Sequence, residues 1–227
     1  MTSRILTGAL ALTLLATGSW VMTRGSGAES PLLPAMANAQ EAAADPAAAT
    51  ETVEIADMTL GAADAPVEII EYASYTCPHC ADFHNDQFQK LKTEYIDTGK
   101  VRFTHREALF DRAALWGTMV ARCGGEMRYW GLSGLIYETQ QEWIGDGDLA
   151  GIAERLRKTG LTAGLSQEQV DACMSDAATA QALIDWYNDN READDITATP
   201  TLIIDGEKHS NMSFEDLAKI IDAKLAE

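Results

Sequence analysis

Cys77-Pro78-His79-Cys80 sets two thiols three positions apart, with helix-forming sequence directly after the second. That spacing lets a disulfide close across the first turn of a helix. A cysteine at a helix N-terminus meets unpaired backbone N–H groups and the positive end of the macrodipole, so its thiolate is stabilised. The chemistry such a pair can do is thiol–disulfide exchange. Cys77, the exposed first cysteine, is then the nucleophile and the sulfur under attack, and Cys80, one turn deeper, is the resolving thiol. Pro78 suits the first helical position, where its missing N–H costs nothing. His79 can donate a hydrogen bond or carry positive charge beside the Cys77 sulfur. A bridge spanning so small a loop removes little chain entropy, which argues against a merely stabilising disulfide. Cys77, Cys80 and His84 also read as C-x2-C-x3-H, but zinc wants four ligands, and His105 and His209 stand isolated in the sequence. No metal site is expected, and His84 is expected to be an ordinary helix residue.

The elements that would hold these thiols follow from hydrophobic patterning. Val67-Glu68-Ile69-Ile70-Glu71-Tyr72, after Pro66, reads as a buried strand leading into the cysteine motif. Phe88, Leu91 and Tyr95 mark one face of a helix ending near Gly99, and Val101-Arg102-Phe103-Thr104 alternates as a strand. Strand, helix and strand of this length suggest a parallel βαβ unit. From about 112 to 195 only helices are expected. Leu149, Ile152, Ala153 and Leu156 form an amphipathic stripe, Ser166 with Gln169 forms a capping box, and Met127, Trp130, Gly134 and Tyr137 suggest a third helix. Strand character returns at Thr201-Leu202-Ile203-Ile204, followed by the tight turn Asp205-Gly206. A last helix starts at Ser213, with Asp216 at its third position and Phe214, Leu217, Ala218, Ile221 and Leu225 on one face. The order βαβ, helical block, ββα is an α/β arrangement: a thioredoxin fold interrupted by an all-helical insertion.

Ahead of this domain, Arg4 and the mostly apolar run from Ile5 to Met22 have the pattern of a secretory signal, or of an N-terminal anchor, over residues 1–22. Residues 25–50 hold ten Ala and three Pro and no aromatic side chain, so 23–52 is expected to be a flexible linker and order to begin near Val53. The net charge of −18 disfavours nucleic acid and anionic membrane surfaces, and fits a solvated acidic surface. Four cysteines in an exported chain suit an oxidising compartment. With Cys77 and Cys80 paired, Cys123 and Cys173 either form a structural bridge, the reading preferred, or stay as free buried thiols.

Together these features make residues 53–225 resemble the DsbA-like thiol–disulfide oxidoreductases of bacterial periplasms. The resemblance rests on the cysteine motif after an acidic-apolar strand, on Val101–Glu107, on Tyr129-Trp130 within the helical insertion, and on Thr199-Pro200-Thr201-Leu202-Ile203-Ile204-Asp205-Gly206. It implies a periplasmic oxidase that needs no cofactor beyond the redox-active Cys77–Cys80 disulfide. Its partners would be reduced, unfolded secreted proteins and a DsbB-type, quinone-linked inner-membrane oxidase, and it would act as a monomer. The resemblance further implies a cis peptide before Pro200, substrate binding at Thr199 and Pro200, and a proton relay at Glu71 beneath the active site. The pair Cys123 and Cys173 looks like a subgroup with a second disulfide in the helical domain. Thr199 stands where the best-known members carry an aliphatic residue, and relatives with isomerase or reductase roles often have Thr. Isomerase or reductase activity, or a non-catalytic holdase or adaptor role, are the alternatives.

Overall fold

Alternation along the central strand decides which face meets the helices. In β2 (Val67–Ala73), Val67, Ile69, Glu71 and Ala73 point one way, and all four are fully buried. The structure, a computed structural model, describes residues 53–227; the expected leader or anchor and the linker lie outside the described residues. Five strands make one sheet in the order β1-β3-β2-β4-β5. β3 (Val101–Glu107) lies parallel to β2, while β1 (Met58–Leu60), β4 (Thr201–Ile204) and β5 (Glu207–Ser210) run antiparallel to their neighbours. The βαβ unit and the terminal hairpin are as the patterning implies. β1 escaped it, because three residues are too short to show a period. Asp205 (φ 45°) and Gly206 (φ 83°) both take left-handed backbone, as a two-residue hairpin turn between β4 and β5 requires.

The helix that follows the cysteine motif, α1, runs over residues 78–96, and its turns at Phe83–Gln87 and Lys92–Ile96 are widened to π geometry. Phe83, Phe88, Leu91 and Tyr95 pack on Val67, Ile69, Val101 and Phe103, together with Leu217 and Ile221 of the last helix, α8 (Phe214–Lys224). Between β3 and β4 the chain forms only helices: α2 (Arg112–Arg122), α3 (Glu126–Glu138), α4 (Gln140–Ile144), α5 (Leu149–Thr162), α6 (Gln167–Ser175) and α7 (Ala177–Ala193). The capping box at Ser166 and Gln169 is present with both its hydrogen bonds. The expected insertion is therefore there, a thioredoxin fold carrying an all-helical block.

Two details differ from the patterning. In α3 the buried face is Tyr129, Leu132, Ser133, Ile136 and Tyr137, whereas Met127 is fully exposed. The polar ends of Tyr129 and Tyr137 find buried hydrogen-bond partners, so aromatic and hydroxyl groups go inside where apolar counting favours Met. In α5, Ile152 and Leu156 are buried but Leu149 remains exposed. A second core joins Tyr75, Cys80 and Ala81 to Val120, Tyr129, Ile136, Tyr137, Trp143, Ile152 and Leu156. The helical block thus packs directly on the start of α1. Gly117 permits that approach, since a Cβ there would lie 3.1 Å from Tyr75 Cβ. Cys123 and Cys173 are joined in a disulfide linking the end of α2 to α6, with their Cα atoms 5.7 Å apart.

Candidate active site

The thiols sit where strand β2 ends and α1 begins. Cys77 is the N-cap of α1 in extended backbone (φ −82°, ψ 120°), and Pro78 takes the first helical position. The Cys77 carbonyl accepts from the N–H groups of Cys80 and Ala81, both at 3.2 Å. Two helices of the insertion clamp this loop. Gln140 Nε2 donates to the carbonyls of Tyr75 (2.8 Å) and Cys77 (2.9 Å), and Thr76 Oγ1 donates to Asp111 Oδ2 at 2.7 Å. Asp111 in turn caps α2 by accepting from Ala114 N–H at 2.8 Å. Gln140 carries no sequence signal, because it acts on backbone groups distant in the chain, and Asp111 carries only that of an N-cap.

Cys77 is half-buried and Cys80 fully buried, and both are thiols. The Cys77 thiol is held down at about 5, chiefly by the hydrogen bond from Cys80; desolvation opposes this, and Thr199 and the backbone N–H groups of Cys80 and His79 assist. Cys80 is pushed far above the ordinary thiol range by burial, by the bond it gives to Cys77 and by the negative charge of Glu71. The two sulfurs are thereby split into one anion at neutral pH and one retained proton. His79 contributes through its backbone. Its imidazole is exposed and faces Asp82 at 3.9 Å, so the expected charge beside the sulfur is not where the side chain points.

The loop before β4 closes the other side. The Thr199–Pro200 peptide is cis, as the resemblance implies, and Cys77 Sγ lies 3.6 Å from the Thr199 carbonyl, to which it donates only while it holds its proton. The antiparallel register that pairs Tyr72 with Thr201 brings the two loops to the same end of the sheet. An open, largely apolar depression of about 440 Å³ adjoins Thr76, lined by Ala113, Ile144, Leu149 and Ile152, with Asp111 and Arg112 at its edge.

Beneath the thiols lies a buried polar network. Alternation aligns Phe103, His105 and Glu107 of β3 with Ile69, Glu71 and Ala73 of β2, in register. Glu71 Oε2 is 2.7 Å from His84 Nε2, and both side chains are buried. His84 stacks on Tyr137 at 4.1 Å between ring centroids. His105 contacts Tyr129 through Nδ1 and Tyr137 through Nε2 (3.1 Å). Burial holds His105 at about 3, so its imidazole is neutral. Tyr129 donates to Glu107 Oε1 at 2.9 Å, and Arg122 grips Glu107 through Nε (2.8 Å) and Nη2 (2.6 Å). With that donor placed, His105 must donate from Nδ1 to the Tyr129 oxygen and accept from Tyr137 at Nε2. Glu71, His84 and His105 offer donor atoms within 4.8 Å of one another. Both nitrogens of His105 are engaged by tyrosines, however, so the group reads as a hydrogen-bonded cluster. His84 is thus a buried partner of Glu71 rather than an ordinary helix residue. His84, His105 and Glu107 were missed by motif reading. Strand parity and the one-turn spacing of Cys80 and His84 were the available signals.

Comparison with known proteins places the chain among similar ones. A family model described as Thioredoxin matches residues 53–223. A Rickettsia bellii protein, provisionally named a protein-disulfide oxidoreductase, is 31% identical over 172 residues, covering 75% of this chain and 65% of its own. The chain thus spans just under two thirds of that relative's length. Disulfide bond formation protein D of Bacillus subtilis is 26% identical, over 73% of this chain and 76% of its own. Among solved structures, alpha-DsbA1 from Wolbachia pipientis superposes with a TM-score of 0.68 at 26% identity, covering 76% of this chain and 92% of that one.

Proposed function

Since the chain belongs to the thioredoxin family, we propose that it is a DsbA-like protein thiol–disulfide oxidoreductase, which passes the Cys77–Cys80 disulfide to reduced, unfolded exported proteins in the periplasm. The observation that carries the reading is the Cys77 sulfur itself: half-buried at a helix N-terminus, hydrogen-bonded by buried Cys80, with the Thr199 carbonyl 3.6 Å away. In the first step a substrate thiolate attacks Cys77 Sγ, and the Cys77–Cys80 bond breaks. Its electron pair leaves on Cys80, which takes up a proton, and Glu71 relays that proton. A second substrate thiolate then attacks the substrate sulfur of the mixed disulfide. Cys77 departs as a stabilised thiolate, leaving the substrate oxidised by two electrons and the protein reduced by two. The Thr199 backbone and Pro200 hold the substrate strand beside Cys77, as strand addition to an exposed edge would. A DsbB-type, quinone-linked inner-membrane oxidase restores the disulfide.

Electrostatics supports the direction. A thiol near 5 is about two units below pH 7, which favours the reduced form by up to ~2.7 kcal/mol or ~60 mV. Contact of the sulfur with water makes this an upper bound. Stabilising the reduced form makes the disulfide an oxidant. Thr199 favours a second reading, isomerase or reductase activity of the same site, and the reduction potential against glutathione separates the two. The reading as a whole is tested by oxidation of a reduced model substrate, which Cys77→Ser should abolish. Full activity in that variant would sink it.

A further inference from the structure

One buried oxygen in the network has no partner. Glu71 Oε2 is bound to His84 Nε2, but Glu71 Oε1, equally buried, meets no hydrogen-bond partner among the described residues. A buried carboxyl oxygen without a partner is costly unless something uses it. The thiol within reach of its charge is Cys80. Cys80 precedes His84 by one turn of α1, both are buried, and the Glu71 charge acts directly on the Cys80 thiol. The helical turn that carries His84, Phe83–Gln87, is widened to π geometry, a distortion that often marks functional positions.

We propose that His84 is a positioning residue for disulfide exchange: its Nε2–H hydrogen bond fixes the Glu71 carboxyl through Oε2, so that Oε1 alone trades a proton with Cys80. The inference rests on the redox role proposed for Cys77 and Cys80, and deepens it. In the resolving direction, Cys80 S–H gives its proton to Glu71 Oε1, and the Cys80 thiolate attacks Cys77 Sγ in a mixed disulfide. The Cys77–Cys80 bond forms, the bond from Cys77 to the partner sulfur breaks, and the partner leaves as a thiolate. The reverse step returns the proton from Oε1 to Cys80. Oε2 stays bonded to His84 throughout, so the carboxyl need not rotate between steps.

The surroundings favour His84 over its neighbours in this role. His84 faces Glu71 of β2, His105 of β3 and Tyr137 of α3, with Phe83 and Phe88 on its own helix. Tyr137 and Tyr129 saturate His105, and Glu107 is occupied by Tyr129 and Arg122. Among the described residues, His84 is the one side chain that hydrogen-bonds Glu71. A histidine serving only to fill the core would leave the pH dependence of exchange untouched.

The test follows Cys80 resolving a thionitrobenzoate mixed disulfide on Cys77, read as release of the coloured thiolate across pH. His84→Leu should slow release by roughly 10²-fold near neutral pH, the lower end of what a positioned proton acceptor supplies, and make it rise with hydroxide. His84→Gln, which restores an N–H donor to Oε2, should recover most of the rate. Wild-type rate and pH profile in His84→Leu, or equal slowing in Leu and Gln variants, would overturn the inference. Should His84→Leu not fold, the ring-nitrogen NMR shifts of His84 in the native disulfide and dithiol forms decide instead. They should differ between the forms, and identical shifts across the pH range overturn it. If the wild-type protein itself releases nothing, the exchange role of the pair fails, which is a different result from an inert His84.

Discussion

Replacing Cys80 in two ways isolates the interaction that most acidifies Cys77. The largest influence lowering the Cys77 thiol to about 5 is the hydrogen bond from Cys80, ahead of Thr199 and the backbone N–H groups of Cys80 and His79. Cys80→Ser keeps a donor at that position, and Cys80→Ala removes it. Neither variant can close the disulfide, so Cys77 is observed alone. A hydrogen bond to a charged acceptor contributes about 1.5–3 kcal/mol, or roughly one to two pKa units. Because the Cys77 sulfur is only half-buried, water replaces part of the loss, and a rise of about one unit is expected in Cys80→Ala relative to Cys80→Ser. The ultraviolet absorbance of the thiolate, titrated with pH, measures this directly. Alkylation provides a second assay. At about pH 5.5, a thiol titrating near 5 is roughly three-quarters ionised and one near 6 roughly one-quarter, so iodoacetamide should react about threefold more slowly with the Ala variant. Near pH 8 both thiols are ionised and the gap should close. If the two variants titrate together, the donor is not Cys80, and Thr199 with the backbone N–H groups of the helix terminus must account for the thiolate.

Two further outcomes follow from the same structure. Folding lowers Cys77 from 9.0 to about 5, so the thiolate's contribution to the reduced form is complete above about pH 9 and is lost as pH falls to about 5. The difference in melting temperature between the reduced protein and its Cys77→Ser variant should shrink steadily through that window and level off below it; a gap independent of pH would contradict the assignment. The Cys123–Cys173 bridge spans 50 residues, which corresponds to about 4 kcal/mol in the chain-entropy model. Replacing both cysteines with Ala should lower the urea-unfolding free energy by up to that amount while substrate oxidation persists, and loss of oxidation in a folded variant would show that the bridge does more than brace the insertion.

Local patterning was sufficient for the parts of this protein that depend on near neighbours in the chain. The cysteine spacing, Pro78 at the first turn, the apolar runs of β2 and β4, the Asp205-Gly206 turn and the Ser166 capping box are all short-range requirements, met by residue types a few positions apart. They were enough to place the cysteine pair at a strand-to-helix junction and the Thr199-Pro200 loop ahead of a hairpin. Tertiary structure decided what surrounds the pair. Glu71, His84 and His105 meet only because β2 and β3 align in parallel register beneath α1, and Gln140 reaches the active-site loop from a helix more than sixty residues downstream. Burial gives these polar groups their importance, since a carboxylate or imidazole without water must find its partners in the protein. Spacing can place a residue on a face, as strand parity does for Glu71 and one helical turn does for His84, but which partners stand within reach is a property of the packed sheet and helices.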